Sequence, residues 1–120
     1  MKFKHTKTNI PEENEYPKLV RDLIPDIIKS HGEVSKTRIA KDDDELRTYL
    51  LAKIVEESNE LKSAKNKDHL VEELADIMEI IDTILNLENL NLEDIRNIQR
   101  EKKEKRGGFE KRIIMLSNKK

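Results

Sequence analysis

Two stretches of the 120-residue chain set acids inside apolar helical periodicity in the same way, and that repetition constrains the fold most. On a wheel turning about 100° per residue, Leu46, Leu50, Ile54, Leu61 and Ala64 all fall within about 60° of Glu57. Leu70, Ile77, Ile80, Ile84 and Leu87 cluster around Glu73 in the same way. Glu60 and Asp76 follow these acids at i+3, each about 60° to the same side. Each segment is therefore an amphipathic helix with an acidic pair whose first member sits in the middle of the apolar stripe. A short connection, roughly 62–67, makes the two helices antiparallel neighbours, so the four carboxylates can converge.

Capping signals place the other elements. Residues 1–15 are polar and read as a loose arm, with a single helical domain over 16–120. Pro25 suits a first helical position and Gly32 a stop, giving a short helix over 25–30. Residues 33–41 read as extended or irregular. Asp42, Asp43 and Asp44 favour a helix N-terminus, and the first long helix is expected over 43–64. The second is expected over 68–87. A third, capped by Asn91, runs to Arg106, where Gly107-Gly108 stops it. Arg112 to Leu116 reads as a short strand or a docked extended tail. The expected fold is all-α: an antiparallel helical bundle with two long central helices and shorter flanking ones.

Composition narrows the function classes. Twenty-four basic and 25 acidic side chains leave a net charge of −1, which excludes a strongly basic nucleic-acid coat protein. The basic run 102–106 lacks interleaved aromatics, so no nucleic-acid partner is expected. No apolar run approaches the roughly 18 residues of a membrane span, and Met1 to His5 lacks the apolar stretch of a secretory signal. A cytoplasmic protein is expected. Aromatic residues make up only 3%, and so thin a core suggests that another subunit closes part of the apolar surface. A homo-oligomer, dimer or tetramer, is the expected assembly.

Unpaired carboxylates on an apolar face are costly. Lys53 is the only nearby base on these two helices, so a divalent cation relieves the cost more completely. With no cysteine, and with His5, His31 and His69 unpaired at ligand spacing, oxygen-only ligands point to Mg²⁺ or Mn²⁺. The Glu-x-x-His of ferritin-like redox sites is absent, which argues against a di-iron centre. The competing readings are a solvated acidic face or buried ion pairs with Lys53. His31 and His69 read as surface or helix-end residues.

At these residues the chain resembles the all-α NTP pyrophosphohydrolase superfamily named for MazG. Its signature is Glu-x-x-Glu, a gap of about a dozen or more residues, then Glu-x-x-Asp. Here it is Glu57 and Glu60, then Glu73 and Asp76. The flanks match too, from Lys53 to Glu57 and from Glu72 to Ile77. Two further segments resemble a phosphoribosyl-ATP pyrophosphohydrolase-like subgroup: Lys-Leu-Val-Arg-Asp-x-Ile-Pro at 18–25 and Lys-x-x-Arg-Gly-Gly-Phe at 103–109.

The resemblance implies Mg²⁺-dependent hydrolysis of a nucleoside triphosphate between the α- and β-phosphates, giving a monophosphate and pyrophosphate. Glu57, Glu60, Glu73 and Asp76 would hold the metal. Glu56 or Glu57 would act on the attacking water, and spacing does not choose between them. Lys53, Lys18, Arg21, Lys103 and Arg106 are candidate phosphate contacts, and Phe109 the best candidate to stack on a base. Against these stand ordinary roles. Lys103 and Arg106 complement the C-terminal end of their helix, Arg21 pairs with Asp22 or a bundle carboxylate, and Phe109 anchors the tail. The subgroup's label suggests phosphoribosyl-ATP as an alternative substrate. A non-catalytic nucleotide- or partner-binding helical module is the alternative of a different class.

Overall fold

The computed structural model describes residues 16–120, so the expected N-terminal arm lies outside the described residues. Four helices follow in order: α1 (Ile24–Ser30), α2 (Asp43–Lys62), α3 (Lys67–Leu87) and α4 (Leu92–Arg106). There is no strand among the described residues. No helix there is long and apolar enough to cross a membrane. The all-α expectation holds, with helix ends shifted by a residue or two.

Side-chain caps set those ends. Asp42 accepts from the Glu45 N–H at 2.8 Å and opens α2. Asn66, expected within a turn, accepts from the His69 N–H at 2.8 Å and starts α3 at Lys67. Asn91 caps α4 through the Glu93 N–H. Two helices close with the same terminating motif. Gly32, at φ 86°, ends α1 while Glu33 N–H donates to Ile28 O. Asn89, at φ 54°, ends α3 while Leu90 N–H donates to Leu85 O at 2.8 Å. Both positions need a left-handed backbone, which glycine and asparagine adopt at least cost.

The only extensive helix–helix packing among the described residues is α2 against α3. The connection over 63–66 makes them antiparallel. Arg47 of α2 pairs with Glu88 just beyond α3, which ties the far end of the pair. Leu50 and Ile80 are the buried apolar side chains, with Ile54, Leu61, Ile77, Ile84 and Leu87 half-buried around them. Burying such a side chain contributes about 1.5–3 kcal/mol, so this core is small. Helix α4 stands apart, with Leu92, Ile95 and Ile98 exposed. The tail also corrects the expectation. Residues 113–116 form no strand and do not dock, and Ile113, Ile114, Met115 and Leu116 are all exposed. Among the described residues there is no strand whose edge they could join.

Candidate metal and active site

The acids of the two helices meet where the pair is joined, because Glu57 and Glu60 end α2 while Glu73 and Asp76 begin α3. Glu57, Glu73 and Asp76 bring one carboxylate oxygen each to within 4.8 Å of one another. Glu60, His69 and Glu73 form a second such group. All four sequence-predicted ligands are therefore assembled, and Glu73 is common to both groups.

Glu73 is the focus of the electrostatics. Its side chain is buried, and Oε2 has no hydrogen-bond partner. Burial foremost, then the Glu57 carboxyl, Asp76 and Glu60, push its pKa up to about 8. A carboxyl–carboxyl hydrogen bond needs a shared proton, so the contact with Glu57 favours the protonated form. Glu60 is also raised, first by burial and then by Glu57 and Glu56, while His69 and Lys18 oppose the shift. An unpartnered buried oxygen among converging carboxylates is the arrangement a hard divalent cation satisfies. The donor set fits such an ion.

Three cations border the acids. Lys53 lies 3.3 Å from Glu56 and 3.6 Å from Glu57. Lys18, before α1, lies 3.7 Å from Glu56. Arg21 donates to Asp76 at 2.8 Å, so it takes a bundle carboxylate and not Asp22 as partner. Glu56 stands outside both acidic groups, half-buried between Lys18 and Lys53. That separates it from Glu57, a distinction spacing alone did not make.

The C-terminal candidates are not brought to this face. Lys103 pairs with Glu110 at 3.5 Å, and Phe109 is 97% exposed and anchors nothing. Arg106 is exposed in the last turn of α4, and no ion pair joins it to the acids among the described residues. The cause is the position of α4, which lacks extensive packing against α2 or α3.

His69, read from the sequence as a surface or helix-end residue on the Asp76 side, sits at the start of α3 and joins the acidic face. His69 is not a plain surface residue: it is half-buried, with Nε2 3.4 Å from Glu73 Oε1. The signal was its place one turn before Glu73, about 40° round the wheel on the Asp76 side.

An antiparallel helix pair that gathers four carboxylates and three flanking cations at one end fits the all-α hydrolases acting on phosphoric anhydride bonds. More narrowly, the chain belongs to the phosphoribosyl-ATP pyrophosphohydrolase family, whose sequence model matches residues 18–103. No curated protein and no solved structure gives a significant match.

Proposed function

We propose that the chain is a Mg²⁺-dependent nucleotide pyrophosphohydrolase that cleaves nucleoside triphosphates between the α- and β-phosphates. The observation that carries this reading is the buried, unpartnered Glu73 Oε2 at the meeting point of the four acids. Glu57, Glu60, Glu73 and Asp76 would hold the cation. When bound, it supplies charge neutralisation at the phosphates and an acidified water.

The chain's own groups account for the rest. Glu56 orients the attacking water and accepts its proton. The new oxygen–phosphorus bond forms as the bridging P–O bond breaks, and pyrophosphate leaves. Lys53 lies 3.3 Å from Glu56 and 3.6 Å from Glu57, so it holds the Glu56 carboxyl in place beside the acids. Lys18 and Arg21 occupy carboxylates that an incoming anion can replace, and they exchange those partners for phosphate oxygens. Lys103, Arg106 and Phe109 reach a nucleotide only if α4 or a second copy of the chain closes over the face.

Phosphoribosyl-ATP is the second substrate supported, because the matched family carries that description. The test is a panel of nucleoside triphosphates plus phosphoribosyl-ATP with Mg²⁺, following pyrophosphate and orthophosphate separately. Pyrophosphate from panel members, abolished in Asp76→Asn and Glu60→Gln with helicity retained, supports the reading. Bound Mg²⁺ with no pyrophosphate from any member would point to a substrate outside the panel, and silence without Mg²⁺ binding would move the chain to the non-catalytic module.

A further inference from the structure

The open face of α3 carries an apolar stripe bordered by charge of one sign. Val71, Leu74, Met78 and Ile81 are between 40% and 61% exposed. From Asp68 to Leu87 the helix carries six acids and no lysine or arginine. Asp68, Glu79 and Asp82 lie on one side of the stripe, within about 120° of its centre on the wheel. All three are exposed, and none forms an ion pair among the described residues.

The C-terminal tail is the complement of that stripe. Ile113, Ile114, Met115 and Leu116 are between 76% and 92% exposed. Lys111 and Arg112 precede them, Lys119 and Lys120 follow, and residues 111–120 contain no acid. The helix from Asp68 to Asp82 spans about 21 Å. Extended chain from Arg112 to Lys119 spans about 23 Å. An apolar segment ending in cations therefore matches, in length and in charge, an apolar stripe ending in acids. The tail also lies beyond residue 103, where the family match ends.

The two surfaces do not meet within one chain. The radius of gyration is 18.1 Å, where a compact chain of this length has about 13–14 Å. Helix α4, about 22 Å long, lacks extensive packing against α2 or α3 and carries the tail off the body. We propose that the tail of one copy, residues 111–120, docks along the α3 stripe of a second copy. Its apolar segment 113–116 covers Val71, Leu74, Met78 and Ile81, and its cations face Asp68, Glu79 and Asp82. Exchange of a projecting arm between identical chains is reciprocal and closes as a dimer. The proposal names what seats on the stripe, and it depends neither on the cation site nor on the nucleotide cleaved.

The chain contains no cysteine, so introduced ones report a single contact. The experiment mixes two full-length variants under mild oxidant: Met78→Cys carrying an added tag, and untagged Ile113→Cys or Ile114→Cys, which sample the two faces of an extended tail. With one of the two tail variants, the disulfide-linked pair of a tagged and an untagged chain is expected to dominate over like pairs. Ending the chain after Glu110 is expected to weaken self-association by about a hundredfold or more in sedimentation velocity. Added salt weakens the wild type in the same direction. The deletion spares the fold, because the tail's side chains lie open and its backbone bonds in a local turn, Arg112 N–H donating to Phe109 O at 3.1 Å. A wild-type oligomer unchanged by the deletion, or no mixed disulfide with either tail variant, overturns the proposal. So does a double variant, Met78→Cys with Ile113→Cys or Ile114→Cys, that closes its disulfide within a monomer, because the tail then lies on its own chain. A monomeric wild type that sediments with vesicles of phosphatidylcholine and phosphatidylserine, and loses them with the tail, overturns it in favour of an anionic lipid surface.

Discussion

Arg21 Nη2 donates to Asp76 Oδ1 across 2.8 Å, joining residues 55 positions apart in the chain. The contact ties the segment before α1 to the first turns of α3. It also sets a guanidinium where the proposed cation would bind. Arg21 and the cation therefore compete for one carboxylate, and cation binding frees Arg21 for phosphate. Arg21→Ala is expected to bind Mg²⁺ at least as tightly as wild type when no nucleotide is present. Its kcat/KM should fall by about tenfold or more, since a charged hydrogen bond contributes about 1.5–3 kcal/mol. Calorimetry and steady-state kinetics measure the two halves separately. Weaker Mg²⁺ binding by the variant would show that Arg21 supports the cation site and does not compete with it.

Glu73 sets stability against function. Its burial among like charges costs the metal-free chain stability, and the same burial makes it a ligand. Glu73→Gln should raise the melting temperature of the metal-free protein at pH 8 and remove the further rise that Mg²⁺ gives the wild type. Thermal melts with EDTA and with Mg²⁺ test both effects. A variant still stabilised by Mg²⁺ as wild type is would take Glu73 out of the ligand set.

The same group predicts a pH dependence. An unperturbed glutamate titrates near 4.5, and Glu73 in the folded chain is raised to about 8. Between those values the folded state holds a proton that the unfolded state has released. This contribution to the stability of the metal-free protein is therefore highest below about pH 4.5 and falls as pH rises to about 8. Glu60 shifts in the same direction. Mg²⁺ affinity should rise over this interval, because binding displaces the proton. Denaturation midpoints in EDTA between pH 5 and 8 should decline, and Glu73→Gln should flatten the slope. A rising midpoint in wild type that Glu73→Gln leaves unchanged would contradict the assignment.

The site was legible because a helix turns by a fixed angle. The i, i+3 spacing of Glu57 with Glu60 and of Glu73 with Asp76 fixed their face, and a short connection fixed which faces meet. Local chemistry likewise placed the caps at Asp42 and Asn91 and the stop at Gly107, whose φ is 84°. What escaped depended on distant contacts. The partner of Lys18 lies 38 positions away, and for Arg21 the sequence left Asp22 and a bundle carboxylate open without reaching Asp76, 55 positions away, because no periodicity encodes such pairings. The tail residues 113–116 look like a strand in isolation, yet a strand needs an edge to pair with. His69 was within reach of the wheel, but a lone histidine near a helix start is most often a surface residue.

The apolar surface left open makes the final prediction. Val71, Leu74, Met78 and Ile81 recur on α3 at i, i+3, i+7 and i+10, and all are exposed. Leu51 and Val55 are exposed on α2, and Leu92, Ile95 and Ile98 on α4. Surfaces of this kind in water mark an interface or an aggregation liability. The homo-oligomer expected from the thin core would bury this stripe against a second copy, completing a bundle that α2 and α3 alone leave half-built. Sedimentation velocity should give a dimer or tetramer for the wild type. Met78→Lys and Leu74→Lys should shift it toward monomer and lower the melting temperature, because the charge falls where apolar faces close. Neither residue is among the acids, so the monomeric variant should still bind Mg²⁺. A wild type that sediments as a monomer at tens of micromolar, unchanged by either substitution, would show that the stripe is open in solution and that the chain manages with the small core around Leu50 and Ile80.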